Sequence, residues 1–164
     1  MKELKRAQIY GQVFIYVLTL VLISFILAYG YKSIQNLKTR AEQLSCLKFQ
    51  KDLQNSIQTI LSDFGTVKRK DLQLCSNYRQ ICFVDTVRAF NKIVPNSNMF
   101  PVDPIIIDSI KSSTGKNVFL VSDTAKESFY AGNISMDFDV LCIDSSKSLR
   151  LEGKGSYVAL SQWS

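Results

Sequence analysis

The 164-residue chain is 46% hydrophobic and 21% charged, with 20 basic residues, 14 acidic residues and no histidine. That length holds one ordinary domain and an appendage, not two full domains. Without histidine the commonest general base and metal ligand is missing, which excludes Ser-His and Cys-His nucleophile arrangements. The net charge of +6 divides evenly, +2 in each of residues 1–31, 32–64 and 65–164. Neutralising several phosphates together needs a basic stripe. Lys68-Arg69-Lys70 is the only basic triplet, and it reads as a solvated turn or exposed strand. Nucleic acid is not an expected partner.

The hydrophobic residues are concentrated near the start. Lys2, Lys5 and Arg6 precede 25 residues without a charge, from Ala7 to Tyr31. Within it, Val13–Tyr31 is long enough at ~1.5 Å per residue to cross the roughly 30 Å hydrocarbon core. Thr19 and Ser24 can return their hydroxyls to carbonyls of the preceding turn. Tyr10, Tyr16, Tyr29 and Tyr31 lie mostly near the two ends, where phenol rings favour the interface. The expectation is a single-pass membrane helix with lipid as its partner. Basic residues flank both sides, Lys32, Lys38 and Arg40 after the span, so charge alone orients it weakly. The short N-terminal side favours a cytoplasmic N-terminus and an exported C-terminal part. A cleaved secretory signal ending near Ala28-Tyr29-Gly30 is the competing account, with a free secreted domain as its product.

Ser33 to Phe64 contains neither Gly nor Pro, and its apolar residues recur at helical spacing. Ile34, Leu37, Ala41 and Leu44 form one series; Phe49, Leu53, Ile57, Ile60 and Phe64 form a second. Gly65 is a natural stop. One helix from about Ile9 to Asp63 is expected, about 80 Å long at 1.5 Å per residue. Its stripe over 49–64 is expected to pack on the chain's own C-terminal domain, while 34–44 is left open between that domain and neighbouring copies.

After Gly65 the sequence changes to short β-rich runs: Thr66–Leu74, Tyr78–Asp85, Asn117–Ser122, Ser128–Ser135, Phe138–Asp144, Leu149–Gly153 and Tyr157–Gln162. Turns are expected around Asp137, at Ser145-Ser146 and at Gly153-Lys154-Gly155. Arg88–Ile93 and Pro104–Lys111 read as short helices or connections. The expected class is α+β, a long N-terminal transmembrane and stalk helix followed by an antiparallel, meandering β-sheet domain. The organisation is a basic leader (1–7), a transmembrane helix (8–31), a helical stalk (32–64) and a β-rich extracytoplasmic domain (65–164).

Candidate chemistry is sparse. Cysteines 46, 75, 82 and 142 lack any C-x-x-C spacing, so no zinc site is expected. Asp103, Asp108, Asp123, Asp137, Asp139 and Asp144 have no calcium-loop spacing and read as surface turns. Ser113-Thr114-Gly115-Lys116 lacks the earlier glycine of a phosphate loop. No catalytic residue, metal or cofactor is expected, and the protein reads as a non-enzyme. In an exported domain the cysteines suggest disulfides. Short separation favours Cys75–Cys82 closing a hairpin; Cys142 could instead meet Cys82 across the sheet; Cys46 in the stalk is a candidate for remaining unpaired. Buried unpaired thiols are the alternative if the compartment is reducing. Asn133-Ile134-Ser135 is an N-glycosylation sequon, although roughly one such triplet is expected by chance in a chain of this composition.

Lys5-Arg6-Ala7-Gln8, Gln12 and the following apolar helix resemble archaeal type IV pilin-like proteins with class III signal peptides. The whole chain is also similar to uncharacterised membrane-anchored proteins of small-genome archaea, which supply no activity. The pilin resemblance covers about 25 residues and implies cleavage between Ala7 and Gln8 by a prepilin-type peptidase, after the charged pair Lys5 and Arg6. It further implies an anchor helix that becomes a filament core, with copies of the chain or other pilin-like subunits as partners. Many pilins carry Glu at the fifth mature position for subunit contact; here that position is Gln12, an uncharged and weaker partner for a neighbouring amino terminus. The functional expectation is a pilin-like, membrane-anchored surface protein with a structural or adhesive role. The alternative is a permanently bitopic protein whose outer domain binds a protein partner.

Overall fold

The computed structural model describes residues 2–75, 78–85, 88, 95–98 and 101–163, with side chains from Val13 onward. Helix α1 runs without interruption over Lys2–Leu61. It starts before the expected Ile9 and ends close to the expected stop, where Gly65 adopts φ +79°, a conformation costly for residues with a Cβ. Strands β1 (Val67–Asp71) and β2 (Gln80–Val84) precede helix α2 (Pro104–Lys111). Strands β3 (Val118–Val121), β4 (Ala125–Phe129), β5 (Ile134–Ser135), β6 (Val140–Asp144), β7 (Ser148–Gly153) and β8 (Val158–Gln162) follow. The chain is α+β, as its pattern implies. It divides into two compact units, residues 1–43 and residues 44–164, so the last turns of α1 belong to the unit that holds the strands.

The strands form two four-stranded sheets rather than one meander, in the orders β1-β7-β8-β5 and β4-β3-β2-β6. All pairings are antiparallel except the short parallel pair β5–β8. The expected strand over Ser128–Ser135 is two strands in different sheets, separated at Gly132, whose φ is +126°. Of the expected helix Arg88–Ile93, only Arg88 lies within the described residues. Helix α2 has the bounds its sequence implies. Pro104 sits at its start, where a missing N–H costs nothing, and Asp103 caps it, Oδ1 accepting from the Ile105 N–H at 2.8 Å. The other carboxylate oxygen accepts from the Ala125 N–H at 2.9 Å and ties α2 to β4.

The β4-β3-β2-β6 sheet is apolar on both faces. On one, Ile81, Phe83, Val118, Leu120, Leu141 and Ile143 join a core with Phe49, Leu53, Ile57 and Ile60 of α1. On the other, Cys82, Val84, Phe119, Val121, Val140 and Cys142 meet Ile106 and Ile110 of α2. The β1-β7-β8-β5 sheet is one-sided: Leu149, Leu151, Val158 and Leu160 point into the α1 core, while Arg150 and Ser161 point out. A fully buried Leu or Ile stabilises by about 1.5–3 kcal/mol relative to its exposed state, so the helix stripe is a principal stabilising element. The expected own-domain contact holds for Phe49 to Ile60 but not for Phe64, which is 79% exposed just past the helix end. In residues 1–43, Ile34 and Leu37 are exposed, and in the second unit so is Leu44.

Strand β7 comes close to the end of α1 at Gly153. A Cβ there would lie 2.2 Å from the Asp63 carbonyl oxygen and 2.3 Å from that of Ile60, backbone atoms that cannot swing aside. Gly153 also exchanges hydrogen bonds with the chain leaving the helix: its N–H donates to Thr66 O, and its carbonyl accepts from the Gly65 N–H. Gly153→Ala is therefore expected to destabilise residues 44–164 by at least 1–3 kcal/mol, an overpacking cost of the usual order. Gly30→Ala, in open space on the helix, should leave that unfolding transition unchanged. Denaturant unfolding of the detergent-solubilised full chain, followed by near-ultraviolet circular dichroism, separates the two.

Candidate functional site

Three features carry the functional argument: the apolar helix, the disulfide framework and the solvent-facing surface of the second unit. The described residues include one helix long and apolar enough to cross a membrane, near the N-terminus. None of its most apolar stretch is buried by protein, unlike a core helix of a soluble fold. The two aliphatic hydroxyls within the span, those of Thr19 and Ser24, are satisfied by the helix itself. Thr19 donates to the Ile15 carbonyl, and Ser24 donates to that of Leu20 at 2.8 Å, which removes the cost of an unpaired donor in hydrocarbon. Lys5, Arg6, Ala7, Gln8 and Gln12 fall on the backbone of α1, but their side chains lie outside the described residues.

All four cysteines are oxidised, as Cys46–Cys75 and Cys82–Cys142. The favoured Cys75–Cys82 bridge is not formed, and Cys46 is not left unpaired. The reason is strand alternation. Cys82 points with Val84 toward α2, whereas Cys75 belongs to the core on the α1 side, so the 75–82 pair would have to cross the sheet. Register instead places Cys82 directly opposite Cys142 on β6, the alternative partner that the sequence offered. Cys46–Cys75 staples α1 to the segment after β1, across a separation of 29 residues. By chain entropy each bridge is worth roughly 4 kcal/mol.

Several polar clasps were not legible as such in the sequence. Asn98 gives its side-chain amide to both backbone groups of Cys142, Nδ2 donating to the carbonyl at 2.9 Å and Oδ1 accepting from the N–H at 2.8 Å. With the Ser97–Val140 bridge, it covers the β6 edge, which would otherwise offer unpaired groups to another strand. Buried Asn117 likewise clasps the loop after β4, accepting from the Ala131 N–H and donating to the Gly132 carbonyl. Buried Asp85 accepts from the Ser135 hydroxyl, the Met136 N–H and the Arg88 N–H. The only signal for such roles is Asn or Asp beside a strand, too common to single these out.

Three of the six aspartates weighed for calcium hold other groups in place. Asp103 caps α2, Asp139 accepts from the Asn96 N–H at 2.8 Å, and Asp144 accepts from the Gln80 amide. Among the described residues no three His, Cys, Asp or Glu side chains converge on one point. Lys68, Arg69 and Lys70 lie on edge strand β1 as an exposed strand, with Arg69 paired to Asp71 and Lys70 to Asp52 of α1. Beside them an open cleft of about 580 Å³ runs between α1 and the segment after β1, lined by Lys48, Phe49, Asp52, Lys70, Gln73 and Cys75. Asn133 of the sequon is exposed at the start of β5.

The shifted acids are structural. A hydrogen bond from Ser148, then the bond and charge of Arg69, hold the Asp71 carboxyl below its usual value. The Lys154 hydrogen bond does the same for Glu152. Burial, followed by the charge and hydrogen bond of Glu127, raises the Tyr78 phenol. A depressed carboxyl pKa adds stability that is present above the unfolded value and is lost as pH falls through the folded one. Asp71 is fully solvated, so the effect on stability is small, but it is visible site by site. Ser148→Ala is expected to raise the Asp71 pKa toward the ordinary carboxylate value, read from its carboxyl carbon in an NMR titration; an unchanged titration would show that Arg69 alone sets it.

Comparison with known protein families, with curated proteins and with solved structures finds no match to this chain.

Proposed function

We propose that this chain is a pilin-like surface protein with a structural or adhesive role. In this reading α1 anchors it in the membrane, the N-terminus is cytoplasmic and residues 44–164 are outside. The observation that carries the reading is the double use of α1. One uninterrupted helix begins as an exposed apolar rod suited to lipid and ends as the core of a folded domain. The outward orientation draws support from the two disulfides, both in residues 44–164, because disulfides persist in oxidising compartments.

In the same reading a prepilin-type peptidase cuts between Ala7 and Gln8, freeing Gln8 as the mature N-terminus. Copies of the chain, or other pilin-like subunits, then pack through the apolar helices, with Gln12 as an uncharged subunit contact. Exposed Ile34, Leu37 and Leu44 give such packing an apolar surface beyond the span. The second reading is a permanently bitopic protein, cytoplasmic leader retained, whose outer domain binds a protein partner. The exposed edge strand β1 and the cleft beside it favour that reading, since edges and clefts are where partners dock.

Intact-protein and N-terminal peptide mass spectrometry of the chain from native membranes decides between them. A mature start at Gln8 is expected. A retained Met1 would overturn the pilin reading and leave the bitopic one, and a start at Tyr31 would make the product a secreted domain. Alkylation before and after reduction tests orientation in the same sample: all four cysteines are expected to be blocked until reduced, and free thiols would overturn the outward placement.

A further inference from the structure

The loop between β4 and β5 is held from the inside at almost every backbone position. The Tyr130 carbonyl accepts from the Gln54 amide of α1 at 2.6 Å. Asn117 binds the Ala131 N–H at 2.8 Å and the Gly132 carbonyl at 2.7 Å. Gly132 packs so tightly on α1 that a Cβ would meet Ile57 Cγ2 at 3.0 Å. The Asn133 carbonyl accepts from the Val158 N–H at 2.9 Å. With the backbone turned inward, the Asn133 side chain faces solvent. Its Oδ1 accepts from the Tyr130 hydroxyl at 2.9 Å, and no described residue accepts from its Nδ2. The Tyr130 ring is 48% exposed beside it.

We infer that Asn133 is the attachment site of an N-linked glycan, with Tyr130 as the platform for its first sugar. The inference rests on the outward placement of residues 44–164 proposed above. The chemistry needs a carboxamide nitrogen open to solvent, a hydroxyl two residues on and a donor of activated sugar. Asn133 and Ser135 supply the first two, and a lipid-linked oligosaccharide on the exported face is the donor. Nδ2 attacks the anomeric carbon; the C–N bond forms as the bond from that carbon to the lipid phosphate oxygen breaks. The amide loses one proton and the polyprenyl phosphate leaves as its anion, with no change of oxidation state. An aromatic face next to the linkage favours a sugar ring because its C–H groups meet the negative π-face.

The fold also sets when this happens. The Ser135 hydroxyl donates to buried Asp85 at 2.9 Å and is engaged once β5 has paired with β8. A transferase that must grip that hydroxyl therefore acts before β5 docks, and folding afterwards presents the sugar at the sheet edge. There β5 is only two residues long, and a bulky hydrophilic group shields an edge strand from pairing with another chain.

The test is peptide mapping of the full chain from native membranes, alone and as the Asn133→Gln and Ser135→Thr variants, with disulfide state scored in parallel. The peptide carrying Asn133 is expected to bear hexose or N-acetylhexosamine increments in the parent and in Ser135→Thr, and none in Asn133→Gln. An unmodified Asn133 in protein whose four cysteines are disulfide-bonded would overturn the inference while leaving the outward placement intact. An unmodified Asn133 with free thiols would overturn both. If Tyr130 is the platform, the glycan raises the melting temperature of the parent but not of Tyr130→Ala; an equal rise in both would remove Tyr130 from the proposal.

Discussion

The second unit depends on one packing interaction, the insertion of the α1 stripe Phe49, Leu53, Ile57 and Ile60 against the inner faces of both sheets. Leu53 and Ile60 are completely inaccessible to solvent, and they share a single core with residues of all strands from β2 to β8. Neither sheet can bury its apolar face against the other alone without that helix between them. A helix of that stripe width covers a face of roughly 100°, and the remaining α1 faces, with Lys48, Lys51 and Asp52, stay wet. Close contacts at Gly132 and Gly153 then fix the helix axially, because a shift of one residue would drive backbone or Ile57 into the loops that hold it.

Around that interaction the covalent and polar restraints fall into place. Cys46–Cys75 closes the side of the core where the chain enters the unit, and Cys82–Cys142 joins central strand β2 to edge strand β6 on the α2 side. The clasps of Asn98, Asn117 and Asp85 satisfy backbone groups at strand ends and edges that would otherwise be unpaired, where each unmet buried group costs about 1–3 kcal/mol. Polar residues here are spent on holding loops and edges, and the acids with shifted pKa values belong to surface ion pairs.

Local signals in the sequence were read well, and pairings at a distance were not. The apolar span, the stop at Gly65 and the short element Pro104–Lys111 each depend on neighbouring residues, so they are visible in a short window, whereas Asp103 reads as a turn residue rather than as the cap of α2. Most strands were visible too, within a few residues. Their sheets were not, because β1 pairs with β7 and β2 with β6 across most of the domain, and no local pattern specifies such partners. The same limit governs the cysteines. Separation along the chain favours Cys75 with Cys82, whereas Cys75 lies in the core on the α1 side, alternation on β2 turns Cys82 toward α2, and register hands Cys82 to Cys142. Phe64 continued the helical spacing on paper but falls beyond the last turn, so its ring has nothing to pack on. Asn133 was legible as a motif, but its inward-held backbone and outward carboxamide were not.

The placement of Leu53, Ile57 and Ile60 among Leu149, Leu151, Val158 and Leu160 also sets the order of events at birth. The helix is synthesised early, but part of the cover of its stripe, Leu149, Leu151, Val158 and Leu160, comes from β7 and β8, far later in the chain. Contacts with such sequence separation form slowly, because loop closure must precede any gain from burial. Until the β7–β8 hairpin is released that side of the α1 stripe is uncovered, so the core is completed only after translation of that hairpin. A chain held at a membrane meanwhile is kept away from its neighbours by its own tether, and tethering lowers the chance encounters through which exposed stripes aggregate.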